Sequence, residues 1–188
     1  MAEKGEANRQ RIVDAANALF YQKGYNQTSF SDIAEAAGVA RGNFYYYFKT
    51  KDDILAAVIT HRMHGIEMML EEWEREYPDP RDRLKRYATI LLKSRDDILR
   101  YGCPMGSLNV ELSKTQLQQQ SQAREMFELF RIWLERQFHA LGHQDDARDL
   151  ALQLLARSQG ISLLTNVYSD PAFLQREADR LHAWIDTL

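Results

Sequence analysis

The chain has 188 residues, which bounds it to one compact unit or two small ones. Hydrophobic residues make up 45% and charged residues 27%, an ordinary balance for a soluble globular protein. Net charge is −3, and the single cysteine, Cys103, excludes an internal disulfide or a multi-cysteine metal site.

Charge is unevenly placed. Residues 1–51 carry seven Lys/Arg against five Asp/Glu, and the remainder carries 17 against 22. A positive N-terminal segment on an acidic chain has the sign expected of a nucleic-acid reader. Apolar runs stay short of a membrane span, and the polar start M-A-E-K-G-E-A-N-R does not read as a signal peptide. The expected location is therefore cytoplasmic, with no membrane partner.

Residues 1–8 read as a loose arm. A first helix follows to about Lys23, with Ile12, Ala16, Leu19 and Phe20 on one face. Gly24 ends it. Phe30, Ile33, Ala34 and Ala37 then recur at helical spacing. Ser29 and Asp32 have the spacing of a capping box, and Gly38 supplies a left-handed helix end. A second short helix begins near Ala40. Phe44 and Phe48, four apart, point into the core. The helical angle then turns Gly42, Asn43 and Tyr46 outward, flanked by Tyr45 and Tyr47. Arg41, Lys49 and Lys51 bracket this face with positive charge. Hydroxyls, an amide and cations on one helix suit a DNA groove and its phosphates. Gly42 lets the backbone approach closely.

The run T-S-F-S-D-I-A-E-A-A-G-V-A-R-G-N-F-Y-Y-Y-F-K-T-K-D-D-I-L resembles the helix-turn-helix signature of TetR-family transcriptional regulators. The resemblance covers roughly residues 9–60. Its apolar, glycine, aromatic and lysine positions agree together and in order. One position departs: Ala40 stands where the family carries a serine or another polar cap. The DNA-contacting set implied is Ser29, Arg41, Gly42, Asn43, Tyr45, Tyr46, Tyr47 and Lys51. Asn43 and Arg41 are the better candidates for base edges, and hydroxyls and lysine for phosphates. Tyr47, next to Phe48, is the ring most prone to pack inside the domain.

Thr50 and Asp53 repeat the capping-box spacing and open a long helix from Lys51 to about Tyr77, the natural lever between the two ends of the chain. Asp79-Pro80 starts another, with Leu84, Tyr87, Leu91 and Ile98 as its stripe, ending at Tyr101-Gly102. The segment G-C-P-M-G-S-L-N-V-E-L-S is irregular, with a short helix resuming around Leu108 and Leu112. A strongly amphipathic helix runs from about Gln116 to Leu141. It carries Met126, Phe127, Phe130, Trp133, Leu134 and Phe138. Two more span about Asp145–Tyr168 and from Asp170-Pro171 onward. Gly160, flanked by Ser158 and Ser162, allows either close helix approach or simple exposure. No segment alternates at period two.

The expected fold is all-α with about nine helices. Residues 1–50 form a three-helix DNA-binding domain, and residues 51–188 a helical effector-binding and dimerisation domain. The resemblance implies a small-molecule pocket in the second domain, for which Tyr87, Cys103, Met105, Met126, Phe127, Phe130 and Trp133 are the candidates. It also implies a homodimer through the last two helices, on a palindromic double-stranded operator. Dimerisation has its own rationale, since a two-fold pair reads two half-sites. The preferred function is a repressor released from DNA by a small effector. The alternatives are control by a protein partner, or by oxidation or alkylation of Cys103. The segment G-C-P-M-G-S-L resembles one in a TetR subgroup, some of whose members sense electrophiles or oxidants. A reactive thiol needs a nearby cation or a helix N-terminus, and Arg100 and Lys114 are close in sequence. An enzyme is not expected: Cys103 has no evident base and orienter, and there is no Gly-rich phosphate loop. His61 and His64 share a helix face but have no evident third ligand, so neither metal nor cofactor is expected.

Overall fold

The structure, a computed structural model, describes residues 2–188, with the side chains of residues 2–4, Arg41 and Thr115 outside the described set. The described residues form ten helices and no strand. These are α1 (Ala2–Gln22), α2 (Phe30–Ala37), α3 (Arg41–Tyr47), α4 (Lys51–Glu76), α5 (Pro80–Lys93), α6 (Arg95–Tyr101), α7 (Pro104–Thr115), α8 (Leu117–Ala140), α9 (Ala147–Tyr168) and α10 (Pro171–Asp186).

Two compact units divide the chain. The first holds Met1–Gly65 and Ser107–Met126, the second Ile66–Gly106 and Phe127–Leu188. Each crossing between them falls inside a helix: α4, α7 or α8. This division by compactness differs from the boundary expected at residue 50. A three-helix domain of that size buries too little surface to stand alone. The start of α4 adds Ile54, Leu55 and Val58 to its core, and the added segment contributes Leu108, Leu112 and Ala123, all buried.

Within the first unit, α1 starts at Ala2, where a loose arm was expected up to residue 8. Ala, Glu and Lys are good helix formers, and the isolated Gly5 is tolerated there. Asn8 Nδ2 donates to the Tyr47 hydroxyl at 3.2 Å, and the Arg9 guanidinium lies over the Phe48 ring at 5.2 Å. The capping box of α2 forms as its spacing predicts. The Asp32 N–H reaches Ser29 Oγ at 3.2 Å, and the Asp32 carboxylate accepts the Ser29 N–H at 2.8 Å. Gly38 ends α2 with φ 61°, the left-handed turn that glycine adopts without penalty. The bared carbonyls of Ala37 and Gly38 are taken by the Arg11 guanidinium at 2.7–3.1 Å, which ties α1 to the turn before α3. Ala40 gives α3 no side-chain cap.

Within the second unit, α10 packs against α5 and α9, and α6 against α9. The Arg83 guanidinium collects the carbonyls of Tyr77 and Glu74 and the side-chain oxygen of Gln137, closing the end of α4. The single helix expected over residues 79–101 breaks at Ser94 into α5 and α6. Ser94 followed by Asp96 and Asp97 has the composition of a helix start, which the apolar stripe running through it concealed. Pro104 opens α7 at the position where a missing N–H costs nothing.

Candidate nucleic-acid interface and effector cavity

Two buried rings set the rotation of α3. Phe44 and Phe48 are 1% and 3% exposed, and Phe44 meets Phe30 edge-on at 5.4 Å. The opposite side of the helix is therefore outward. Tyr46 is 79% exposed and Tyr45 45%, while Gly42 and Asn43 are exposed beside them. Tyr45 leans on Phe30 at 5.7 Å, and Tyr46 meets Tyr47 edge-on at 5.3 Å. Tyr47 is half-buried, its hydroxyl held by Asn8. A Cβ added to Gly42 would meet no heavy atom within 4 Å. Nothing inside the protein requires glycine there, although glycine weakens a helix by about 1 kcal/mol relative to alanine.

The other members of the set have narrower parts. The Ser29 hydroxyl donates to Asp32 at 2.7 Å and accepts its N–H, so its work is to start α2. Lys51 does not project from the surface. Its ammonium donates to the carbonyls of Tyr25 and Thr28 at 2.9 and 3.1 Å and lies 4.2 Å from the Tyr25 ring centroid. The side chain of Arg41 lies outside the described residues. Lys49 donates to the Tyr45 carbonyl at 2.5 Å, closing the end of α3.

The second unit holds a partly open cavity of about 100 Å³. Ile90, Leu91, Ile98, Pro104, Met105 and Phe130 form its apolar walls, with Tyr87, Ser94, Cys103, Ser158, Gln159 and Ser162 as polar points. Tyr87 and Phe130 meet edge-on at 5.4 Å. Burial pushes the Tyr87 phenol far above its ordinary range, with the neighbouring Cys103 adding to the effect and the Ser158 hydroxyl opposing it. The phenol is therefore neutral at physiological pH.

A family model described as bacterial regulatory proteins, tetR family, matches residues 12–58, the stretch that builds this interface. Residues 12–58 thus carry the DNA-binding segment of the TetR family. It is 28% identical over 180 residues to an uncharacterised HTH-type transcriptional regulator in the lacX 3′ region of Lactococcus lactis subsp. lactis, covering 92% of this chain and 90% of that protein. It is 34% identical over 93 residues to the HTH-type transcriptional regulator AcrR of Shigella flexneri, covering 49% and 43% of the two. A TetR transcriptional regulator from Legionella pneumophila superposes with a TM-score of 0.82 at 26% identity, over 94% of each chain. TetR-family regulators bind DNA operators and typically act as dimers.

Four of the seven pocket candidates converge: Tyr87, Cys103, Met105 and Phe130. Met126, Phe127 and Trp133 do not line the cavity. Helix α8 reaches it only at Phe130, and residues one turn away meet other partners. Trp133 packs on Trp73 at 5.8 Å, and Met126 is buried in the first unit. Sequence reasoning missed the α9 wall. Ser158 and Ser162 face inward at 3% and 2% exposure, while Gly160 between them faces out. The available signal was polar residues four apart on the buried side of an otherwise aliphatic helix.

Cys103 precedes α7, and the Gly106 N–H in the first turn of that helix donates to its sulfur at 3.4 Å. A helix N-terminus is one of the two settings that a reactive thiol needs. Among the described residues no group of three or more His, Cys, Asp or Glu side chains is placed to hold a metal. His61 sits instead beside Asp14 at 3.9 Å and Gln10 at 3.5 Å. No described helix is long and apolar enough to cross a membrane.

Proposed function

We propose that the chain is a homodimeric repressor that holds a palindromic operator with two copies of α3 and leaves it when a small molecule fills the cavity of the second unit. One observation carries the DNA-reading part: Gly42, Asn43, Tyr45 and Tyr46 stand out on a helix whose rotation is fixed by Phe44 and Phe48. Large rings are rarely left this exposed without a partner. Asn43 and Arg41 read base edges, the tyrosine hydroxyls hold phosphates, and Gly42 admits the DNA backbone. Ser29, Tyr47 and Lys51 hold the reading helices in place.

The dimer is formed by α9 and α10. Leu152, Leu163, Leu164, Val167 and Tyr168 give α9 an exposed apolar stripe, with Leu163, Val167 and Tyr168 each above 60%. Gly160 on the same side leaves its backbone bare. The half-sites then lie about one helical turn apart, roughly 34 Å. Coupling between cavity and operator runs through the three helices that cross between the units. The effector must favour the conformation that DNA does not, so the two affinities oppose each other by the same factor.

Selection of bound duplexes from a random library tests this reading. The expected product is a two-fold symmetric sequence, bound by a species of twice the chain mass in sedimentation. Enrichment of no symmetric sequence, or binding by a monomer, would overturn it. A second mode of control is favoured by one contact, the N–H of Gly106 on the Cys103 sulfur. Alkylation or oxidation of Cys103 would then act at the wall of the same cavity, and a full response to thiol reagents in Cys103→Ser would end that mode.

A further inference from the structure

The walls of the cavity define what it can hold. Resting on its assignment as the effector chamber, we infer that its occupant is an uncharged, largely apolar molecule. It bears a hydroxyl or carboxamide head that meets α9.

Size comes first. The cavity volume is about 100 Å³, smaller than a dry engineered cavity of about 150 Å³ that takes benzene. A small polar head fits inside it, with the rest of a ring reaching into its mouth.

Charge comes second. No Asp, Glu, Lys, Arg or His lines the chamber. An ion entering it would lose its hydration and gain no counter-charge, which costs far more than any contact with Ile98 or Phe130 returns. Tyr87 offers no anion either, since burial keeps its phenol protonated.

Polarity comes third, and it is one-sided. Ser158 and Ser162 stand one turn apart on α9 with Gln159 beside them, facing a pocket that is otherwise mostly aliphatic and aromatic. Hydroxyls on a buried helix face are unfavourable unless something bonds to them. The Ser158 proton is already given to the Leu154 carbonyl at 2.8 Å, which leaves its lone pairs to accept. Ser162 and the Gln159 amide are the other polar points that α9 brings to the cavity. Gly106 completes the arrangement. A Cβ there would sit 2.6 Å from Gln159 Oε1 and 3.4 Å from Cys103 Cβ, so the missing side chain is what lets the Gln159 amide lie across the first turn of α7.

The test uses the purified protein and three probes in calorimetric titration: phenol, benzamide and benzoate. Phenol and benzamide are expected to bind, and benzoate at pH 7 to bind at least about tenfold more weakly than benzamide. Ser162→Ala, which removes only the hydroxyl, should weaken phenol about fivefold or more while leaving the melting temperature in place. Gly106→Ala, which displaces Gln159 without removing it, should weaken benzamide more than phenol. Benzoate binding as tightly as benzamide, or no heat from either neutral probe, would each overturn the inference. Operator release is read separately by fluorescence anisotropy. A neutral ring that binds without releasing DNA would leave the ligand class standing and sink the effector reading.

Discussion

Glu111 on α7 accepts the backbone N–H groups of both Tyr25 and Asn26, at 2.9 and 2.7 Å, although 85 or more residues separate them in the chain. The turn it grips joins α1 to α2 and passes through Gly24 at φ 89°. The carboxylate lies 3.1 Å from where a Gly24 Cβ would stand, so both the left-handed backbone and the space favour glycine. Removing the acceptor strands two donors. Glu111→Ala is therefore expected to destabilise the first unit by about 1–3 kcal/mol. Glu111→Gln, which keeps an acceptor oxygen, should cost less. Thermal melts of the two variants, compared with the parent, check the order. Equal melting temperatures in all three would show that the contact contributes nothing.

The outward face of α3 yields the opposite signature, in which function changes and stability does not. Tyr46 is 79% exposed and touches little beyond the edge of Tyr47. Tyr46→Ala should leave the melting curve within about 0.5 kcal/mol of the parent, as surface substitutions do. Operator affinity should fall about tenfold or more. Asn43→Ala should cost about 1–3 kcal/mol of discrimination and relax preference at one position of each half-site. Anisotropy titrations on the selected operator and on single-position variants measure both. Unchanged affinity in the two variants would remove α3 from the reading surface.

What the sequence disclosed and what it withheld divide along the range of the interactions. Ser29 with Asp32, Gly38, and Phe44 with Phe48 act over three to five residues, so α2 and α3 could be drawn from spacing alone. The caps at Thr50 and Asp170 were legible for the same reason. Contacts between distant segments were not. Nothing in the spacing shows that Arg11 closes the end of α2, or that Met126 and Trp133 turn away from a cavity that Phe130 enters. Ser158 and Ser162 were visible only as small residues around Gly160, because their meaning depends on what α5 and α7 bring opposite them. The Ser94 break was hidden by an apolar stripe that continues through it.

Acid should undo the caps together. Asp32 is held below the ordinary carboxylate range chiefly by the Ser29 hydroxyl, and then by its N–H. Asp53 is held down by the Thr50 N–H first and its hydroxyl second, and Asp170 by the N–H of Phe173 above all. Each depressed group favours the folded state while it is ionised. Its contribution is complete above the unfolded value, about 3.9 for aspartate, and is lost as pH falls through the lower folded value. Melting temperature is therefore expected to stay level from neutral pH to about 5 and to drop below about 4. Ser29→Ala removes the largest cause of the Asp32 shift. It should cost about 1 kcal/mol at neutral pH and return the Asp32 titration, followed by carboxyl NMR, toward its ordinary value. An unmoved Asp32 titration would contradict the assignment of cause.

Lys51 separates a structural cation from a DNA-binding one. Its position before a long helix suits a phosphate, and a lysine there reads as a solvated charge seeking one. The ammonium is instead directed at the Tyr25 and Thr28 carbonyls, with the Tyr25 ring beside it. It thereby ties the start of α4 to the loop before α2. Hydrogen bonds from a charged donor contribute about 1.5–3 kcal/mol, so Lys51→Met should lower stability by an amount in that range. A phosphate contact has a different mark. Each one adds about 0.9 to the slope of log affinity against log salt. The expected result for Lys51→Met is a lower melting temperature with the salt slope of operator binding unchanged. A slope reduced by about one phosphate's worth, with the melting temperature intact, would return Lys51 to the DNA surface.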